Sequence, residues 1–183
     1  RIAFLSLFLF IFGILSPCHS SAATAKEIDA AVKETMKRFK KDVPGAEEYL
    51  KIAKGILVIP KVFKAGFIVG GEYGEGALLI GKKTVDYYSL ASASFGLQLG
   101  AQKKDIVLIF VQETALKKFR NSSGFKVGVD GSVAITDVGD GASIDTATIQ
   151  DPIIGFILGQ KGLMANLTLE GSKITKLESK KKK

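Results

Sequence analysis

Residues 70–83 read GGEYGEGALLIGKK, with glycine at 70, 71, 74, 76 and 81. The stretch stops one residue short of a phosphate-binding loop, whose pattern is GxxxxGK[ST]. Such a loop needs flexible residues that curl their N–H groups around phosphate, then a hydroxyl for magnesium, then a helix. Here the residues between Gly76 and Gly81 are Ala-Leu-Leu-Ile, Lys83 stands in the hydroxyl position, and Val85-Asp86-Tyr87-Tyr88 continues in β-forming residues. The stretch therefore predicts a buried strand, Ala77–Ile80, followed by a basic turn. Glu72–Gly76 reads as the hairpin connection from a preceding strand at Gly66–Gly71.

Outward from this hairpin the pattern stays β. Ile56–Ile59 is a short apolar strand closed by Pro60, and Val85–Gln102 alternates with Val85, Tyr87 and Phe95 on its apolar parity. Lys103-Lys104-Asp105 reads as a turn before a buried strand at Ile106–Val111. Phe125–Thr136 alternates again, Ile153–Leu158 and Leu163–Leu169 follow, and Ile174–Leu177 pairs at an edge. One helix, Glu113–Arg120, interrupts the series with Leu116 and Phe119 inward.

Upstream, Ile28, Val32, Met36, Phe39 and Val43 recur at helical spacing, in a stripe about 80° wide. Pro44-Gly45 ends that helix, and a second short one carries Glu47 and Glu48 in its first turn until Gly55 stops it. Repeated βα units are absent. The predicted class is α+β: a mostly antiparallel, curled, Gly-rich sheet, barrel- or sandwich-like, with an N-terminal amphipathic helix, a second short helix and one internal helix.

The chain has 183 residues, enough for one domain with its own core. Residues 1–25 read as a signal peptide: an apolar run at Ile2–Leu15, too short to span a bilayer, then small residues and Ala23-Thr24-Ala25 as a cleavage site. Leu15-Ser16-Pro17-Cys18 resembles the lipobox of bacterial lipoproteins, with Pro17 where a small residue is usual, so Cys18 is a candidate for lipidation. Either route exports the chain, to a periplasm or cell envelope. The domain is expected at 26–177 and a disordered basic tail at 178–183.

Cleavage after Ala25 removes Cys18 and His19, the only cysteine and histidine. A chain without them has no disulfide, no thiolate nucleophile, no His/Cys zinc site and no histidine base, so no enzyme activity and no cofactor or metal is expected. Asp137, Asp140, Asp145 and Asp151 lie in a Gly-rich segment without EF-hand spacing and read as turn residues. Glu72 and Glu75 read as solubilising carboxylates at the hairpin tip.

The net charge of +8 is unevenly placed. Arg1 carries one, Lys180–Lys183 four and Lys26–Lys41 a net three, which leaves Asp42–Ser179 neutral. A neutral body with basic ends differs from a nucleic-acid-binding domain, which gathers its charge on one folded face. It suits attachment to an anionic phospholipid membrane, with Lys33, Lys37, Lys40, Lys41, Met36 and Phe39 as candidate contacts. In the rival reading the same helix packs on its own core and the domain serves protein interaction or an envelope-structural role.

A series of motifs runs along the chain: Ala53-Lys-Gly55-Ile-Leu-Val-Ile-Pro60, Lys64-Ala-Gly66-Phe67, Gly70-Gly-Glu-Tyr-Gly74-Glu-Gly76, Ser94-Phe-Gly96-Leu-Gln98-Leu-Gly100, Lys161-Gly162-Leu163-Met164 and Glu170-Gly-Ser-Lys173-Ile174. In this order they resemble the SYLF domain, the family of fungal actin-regulator domains, over about residues 26–177. The resemblance implies a non-enzymatic domain that binds phospholipids, with an N-terminal amphipathic helix contributing, and in fungal relatives binds and bundles actin. By position that helix is Ile28–Val43. For an exported member the resemblance implies envelope phospholipids as ligands, with a protein partner open.

Overall fold

The computed structural model describes residues 23–66, 69–95, 102–135, 151–159, 162–163 and 169–178. Helix α1 (Ala25–Asp42) starts at a capping box. The Thr24 side chain accepts from the Glu27 amide, and the Glu27 carboxylate accepts from the Thr24 amide at 2.7 Å. Helix α2 (Ala46–Ile52) follows through left-handed Gly45. Strands β1 (Gly55–Gly66), β2 (Val69–Ile80), β3 (Lys83–Phe95) and β4 (Gln102–Phe110) precede helix α3 (Glu113–Asn121). The short strands β5 (Phe125–Lys126) and β6 (Ala134–Ile135), then β7 (Ile153–Gly159), β8 (Gly162–Leu163) and β9 (Lys173–Lys176), complete the elements.

The strands form one strongly curled sheet in the order β5-β9-β3-β2-β1-β4-β7-β6, with β8 also paired to β7. Its pairs are antiparallel except β6–β7. The α+β class with a mostly antiparallel curled sheet and three helices is therefore the observed architecture.

Both faces of the sheet are covered, and the central strands alternate between two cores. Leu57 and Ile59 of β1, Ile106, Leu108 and Phe110 of β4, and Ile153 and Ile157 of β7 point to the concave side, where α3 inserts Leu116 and Phe119. Ile56 and Val58, Val107 and Ile109, and Ile154, Phe156 and Leu158 point to the other side, under α1 and α2. The segments Ile56–Ile59 of β1 and Ile106–Phe110 of β4 are apolar at every position because each position meets a core, and β7 follows the same rule.

The glycine-rich stretch makes the curl. β2 runs unbroken from Val69 to Ile80, so Glu72–Gly76 is strand rather than hairpin tip; β1 and β2 already pair at Gly66↔Gly70. Pro60 does not end β1. The register slips between Val58 and Phe63 against β2 and between Ile59 and Val62 against β4, which marks a bulge around Pro60-Lys61. Lys61 takes φ 52°, and its amide leaves the ladder to donate to Asp105 Oδ1 at 2.8 Å. Opposite this bulge sits Gly76, where a Cβ would collide with the Val58 carbonyl oxygen and come within 2.7 Å of Ile59 Cα. Glycine at this position lets two backbones approach where the sheet bends. The reversal after β2 is the two-residue loop Gly81-Lys82, with Gly81 left-handed at φ 62° and Ile80 facing Lys83. The basic turn is where the sequence placed it, and β3, not a helix, follows.

Four further expectations change. Lys103-Lys104-Asp105 is part of β4, where two of its charges are paired: Asp105 with Arg38, and Lys104 Nζ 2.9 Å from Glu72 Oε2, both of the latter side chains largely buried. Glu72 is thus an internal ion-pair partner, not a solubilising tip. The inward parity of β3 is Tyr88 and Leu90, both buried, while Val85 is exposed at a register slip. Phe125–Thr136 is not a continuous strand: the Asp130 carboxylate caps the Lys126 amide at 2.7 Å, closing a tight loop that leaves Val129 exposed. Asp137, Asp140 and Asp145, residues 1–22 with Cys18, and Lys180–Lys183 lie outside the described residues.

The concave core holds an aromatic group around Phe119, with ring centroids 4.8 Å from Tyr88, 4.9 Å from Phe110 and 5.3 Å from Phe125. The Tyr88 hydroxyl is buried there with no hydrogen-bond partner among the described residues. Burial, then the nearby Asp86 charge, pushes its pKa from 10.0 up to about 12. The folded state therefore keeps this proton over a range in which the unfolded chain loses it, and stability falls as pH rises from 10 towards 12. Tyr88→Phe is expected to be as stable as the parent or up to about 1 kcal/mol more stable at neutral pH. Its advantage should grow above pH 10, read from urea midpoints across that range. A less stable variant at neutral pH would show the hydroxyl to be bonded.

Candidate functional site

The apolar stripe of α1 lies on the sheet. Ile28, Val32, Phe39 and Val43 are buried, and Phe39 meets Phe156 edge-to-face at 5.0 Å; Tyr49 of α2 meets the same ring at 5.0 Å. A second anchor is polar. Arg38 Nη1 donates to Asp105 Oδ2 at 2.7 Å, and its other terminal nitrogen donates to the Gly159 carbonyl. Asp105 is buried, so one carboxylate serves both the helix and the β1 bulge.

With α1 docked this way, its outer flank, α2 and the β2–β3 turn enclose a groove of about 820 Å³. Its floor is apolar: Val32 and Ile56 are buried, and Met36, Leu50 and Leu79 are half-buried. Its rim is basic, with Lys33, Lys37 and Lys40 from α1, Lys51 from α2 and Lys82 from the turn. Two carboxylates complete the lining. Glu47 pairs with Lys40 at 2.9 Å, tying α2 to α1. Asp29 accepts from Thr84 Oγ1 at 2.9 Å and from the Tyr87 hydroxyl at 3.1 Å. Burial and then the Asp29 charge raise the Tyr87 pKa, so this phenol stays a donor. Lys37 reaches Glu34 at 3.7 Å, whereas Lys33, Lys51 and Lys82 form no ion pair among the described residues.

Of the six residues singled out on α1, the fold gathers Lys33, Met36, Lys37 and Lys40 on this groove. Phe39 is fully buried and offers nothing to a surface in this arrangement; Lys41 is exposed but outside the groove. Sequence reasoning missed Leu50, Lys51, Leu79 and Lys82. The sequence puts Leu50 on the apolar face of α2 with Tyr49 and Ala53, but nothing local places that face or Lys51 beside α1. The basic turn was visible, but the register that brings it beside α1 was not. The expected cleavage after Ala25 also meets a structural fact: it would remove Thr24, the cap of α1, worth about 1 kcal/mol.

The groove offers shape, apolar contact and positive charge. Among the described residues no group of three or more His, Cys, Asp or Glu could hold a metal ion, and no helix is long and apolar enough to cross a membrane.

Comparison with known proteins gives a consistent context. The family described as "Ysc84: Las17-binding protein actin regulator" matches residues 91–183, just over half of the chain. An SH3 domain-containing protein of Schizosaccharomyces pombe, PJ696.02, is 32% identical over 132 residues, covering 66% of this chain and 29% of that protein. Protein YSC84 of Saccharomyces cerevisiae is 29% identical over 132 residues (68% of this chain, 28% of the relative). The SH3 domain-containing YSC84-like protein 1 of Xenopus laevis is 28% identical over 125 residues (66% and 37%). The chain thus spans about a third of the length of these curated relatives. The match over residues 91–183, together with the motif series along the sequence, shows that the chain belongs to the Ysc84 family, whose domain is also called SYLF.

Proposed function

We propose that this domain is a non-enzymatic protein-interaction module of the actin-regulator type, working with α1 packed on its core. The observation that carries this reading is the docking of α1. Its apolar stripe is committed to Phe156 and the sheet, and the basic flank is left as a contact surface. The relatives support it, since the family description names Las17 and actin. The absence of a histidine base or thiol in residues 26–183 supports the non-enzymatic part.

A second reading follows from the same flank. Lys33, Lys37, Lys40 and Lys41 are all exposed, and each lysine near an anionic bilayer is worth roughly 1 kcal/mol. In this reading the domain attaches peripherally to anionic phospholipid by charge, with α1 still docked.

Co-sedimentation of the full chain with actin filaments, and separately with vesicles of phosphatidylcholine alone or mixed with phosphatidylglycerol, separates the two. The interaction reading expects retention by filaments and equal indifference to both vesicles. Retention only by phosphatidylglycerol vesicles, weakened by salt and lost in Lys33→Glu/Lys37→Glu/Lys40→Glu, would replace it with the membrane reading.

A further inference from the structure

We infer that the groove between α1, α2 and the β2–β3 turn is a docking site for an acidic amphipathic helix of a partner protein. The inference rests on the protein-interaction reading and names its contact. Three features select this occupant. The floor made by Val32, Met36, Leu50, Ile56 and Leu79 is apolar, and its size falls within the roughly 300–1,000 Å³ usual for binding clefts. A helix presenting apolar side chains at i, i+3 or i+4 and i+7 fills such a floor.

Charge stands on every side of that floor. Lys33 and Lys37 rise from α1, Lys51 from α2 and Lys82 from the turn. The groove's own carboxylates are already engaged, Glu47 by Lys40 and Asp29 by Thr84 and Tyr87. Lys33, Lys51 and Lys82 have no ion-pair partner among the described residues, so glutamates flanking an apolar stripe would meet them without displacing an internal pair.

Shape separates a helix from a bilayer. The apolar residues are recessed between the two helices: Val32 and Ile56 are buried, and Phe39, the bulkiest apolar side chain on α1, is fully buried. A flat membrane would touch the lysine rim and miss the floor. A convex rod about 10–12 Å across reaches it.

The test uses fluorescence anisotropy of the full chain with a labelled peptide of about four helical turns, leucine on one face and glutamate on both flanks. A scrambled peptide of equal composition and a counterpart with lysine for glutamate serve as controls. The expected result is saturable binding of the acidic amphipathic peptide alone, weaker at higher salt. Met36→Asp/Leu50→Asp should weaken it about tenfold or more, as expected for lost anchors. Because these floor changes touch half-buried positions, the exposed set Lys33→Glu/Lys51→Glu/Lys82→Glu gives an independent reading: it should lose the acidic peptide and gain the basic one.

Equal binding of the scrambled peptide overturns the inference, as does a triple variant that binds all three peptides like the parent. Displacement of the peptide by phosphatidylglycerol vesicles, but not by phosphatidylcholine vesicles, also overturns it and assigns the groove to membrane. Peptide binding with no retention by actin filaments leaves this site standing and removes actin from the function. Filament retention with no peptide binding does the reverse.

Discussion

Gly76→Ala is expected to destabilise the domain by about 3 kcal/mol or more, at or above the upper end of overpacking costs. The added methyl would enter backbone, the Val58 carbonyl and the Ile59 Cα, and not the movable end of a side chain. Relief requires β1 and β2 to separate at the bulge, which flattens the curl that both cores fit. Neighbouring glycines supply a graded series. At Gly74 a Cβ would meet Val62 and Ile59 methyl groups at 2.8 and 3.0 Å, so a smaller loss is expected there. At Gly71 the nearest atom is 3.6 Å away, and alanine should be neutral or slightly stabilising through the unfolded chain. Chemical denaturation of the three variants orders them. Equal stability of the Gly76 and Gly71 variants would mean that close approach is not why glycine stands at 76.

The second large effect is at Phe39. Phe39→Ala is expected to cost about 3–5 kcal/mol, the range for deleting a fully buried ring. For a domain of this size that is a fall in melting temperature on the order of 10 °C. The ring is wholly enclosed and shares Phe156 with Tyr49, so its loss loosens α1 and α2 together. The two sequence-based roles for this residue make opposite predictions. A membrane-inserted Phe39 would lower vesicle binding and leave melting unchanged; a docked Phe39 lowers melting. Calorimetry with vesicle sedimentation on one sample distinguishes them.

How far the sequence could be read depended on how many sides of each element are buried. α1 and α3 each bury one stripe, so Ile28, Val32 and Phe39, or Leu116 and Phe119, appear at helical spacing. β1, β4 and β7 are covered on both sides, so Ile56–Ile59, Ile106–Phe110 and Ile153–Leu158 announce strands but no facing. That a second core exists beneath α1 is a property of the pairing order, which no local pattern encodes. Punctuation misled for a related reason. Pro60, the glycines of 70–76 and Lys103-Lys104-Asp105 are turn-forming types, yet each sits within a strand. Proline is tolerated by the bulge, glycine is required by the approach of two backbones, and two of the charges are paired, Lys104 with Glu72 of β2 and Asp105 with Arg38 of α1. The candidate site was half visible. Its α1 bank is periodic and basic in sequence, whereas its second bank joins only through the β1–β2–β3 register.

Asp105 has a consequence for how the domain comes apart. One of its oxygens holds the Lys61 amide at the left-handed corner of β1, and the other holds Arg38 of α1. Straightening β1 would withdraw the Lys61 amide from the Asp105 carboxylate of β4 that also holds the helix, and lifting the helix would leave that carboxylate buried beside a lost cation. Sheet curvature and helix docking are therefore not independent equilibria. α1 cannot fray away as a separate appendage without charging its release against the bend of the sheet, so a partner that gripped the helix would be reading the shape of the barrel wall behind it.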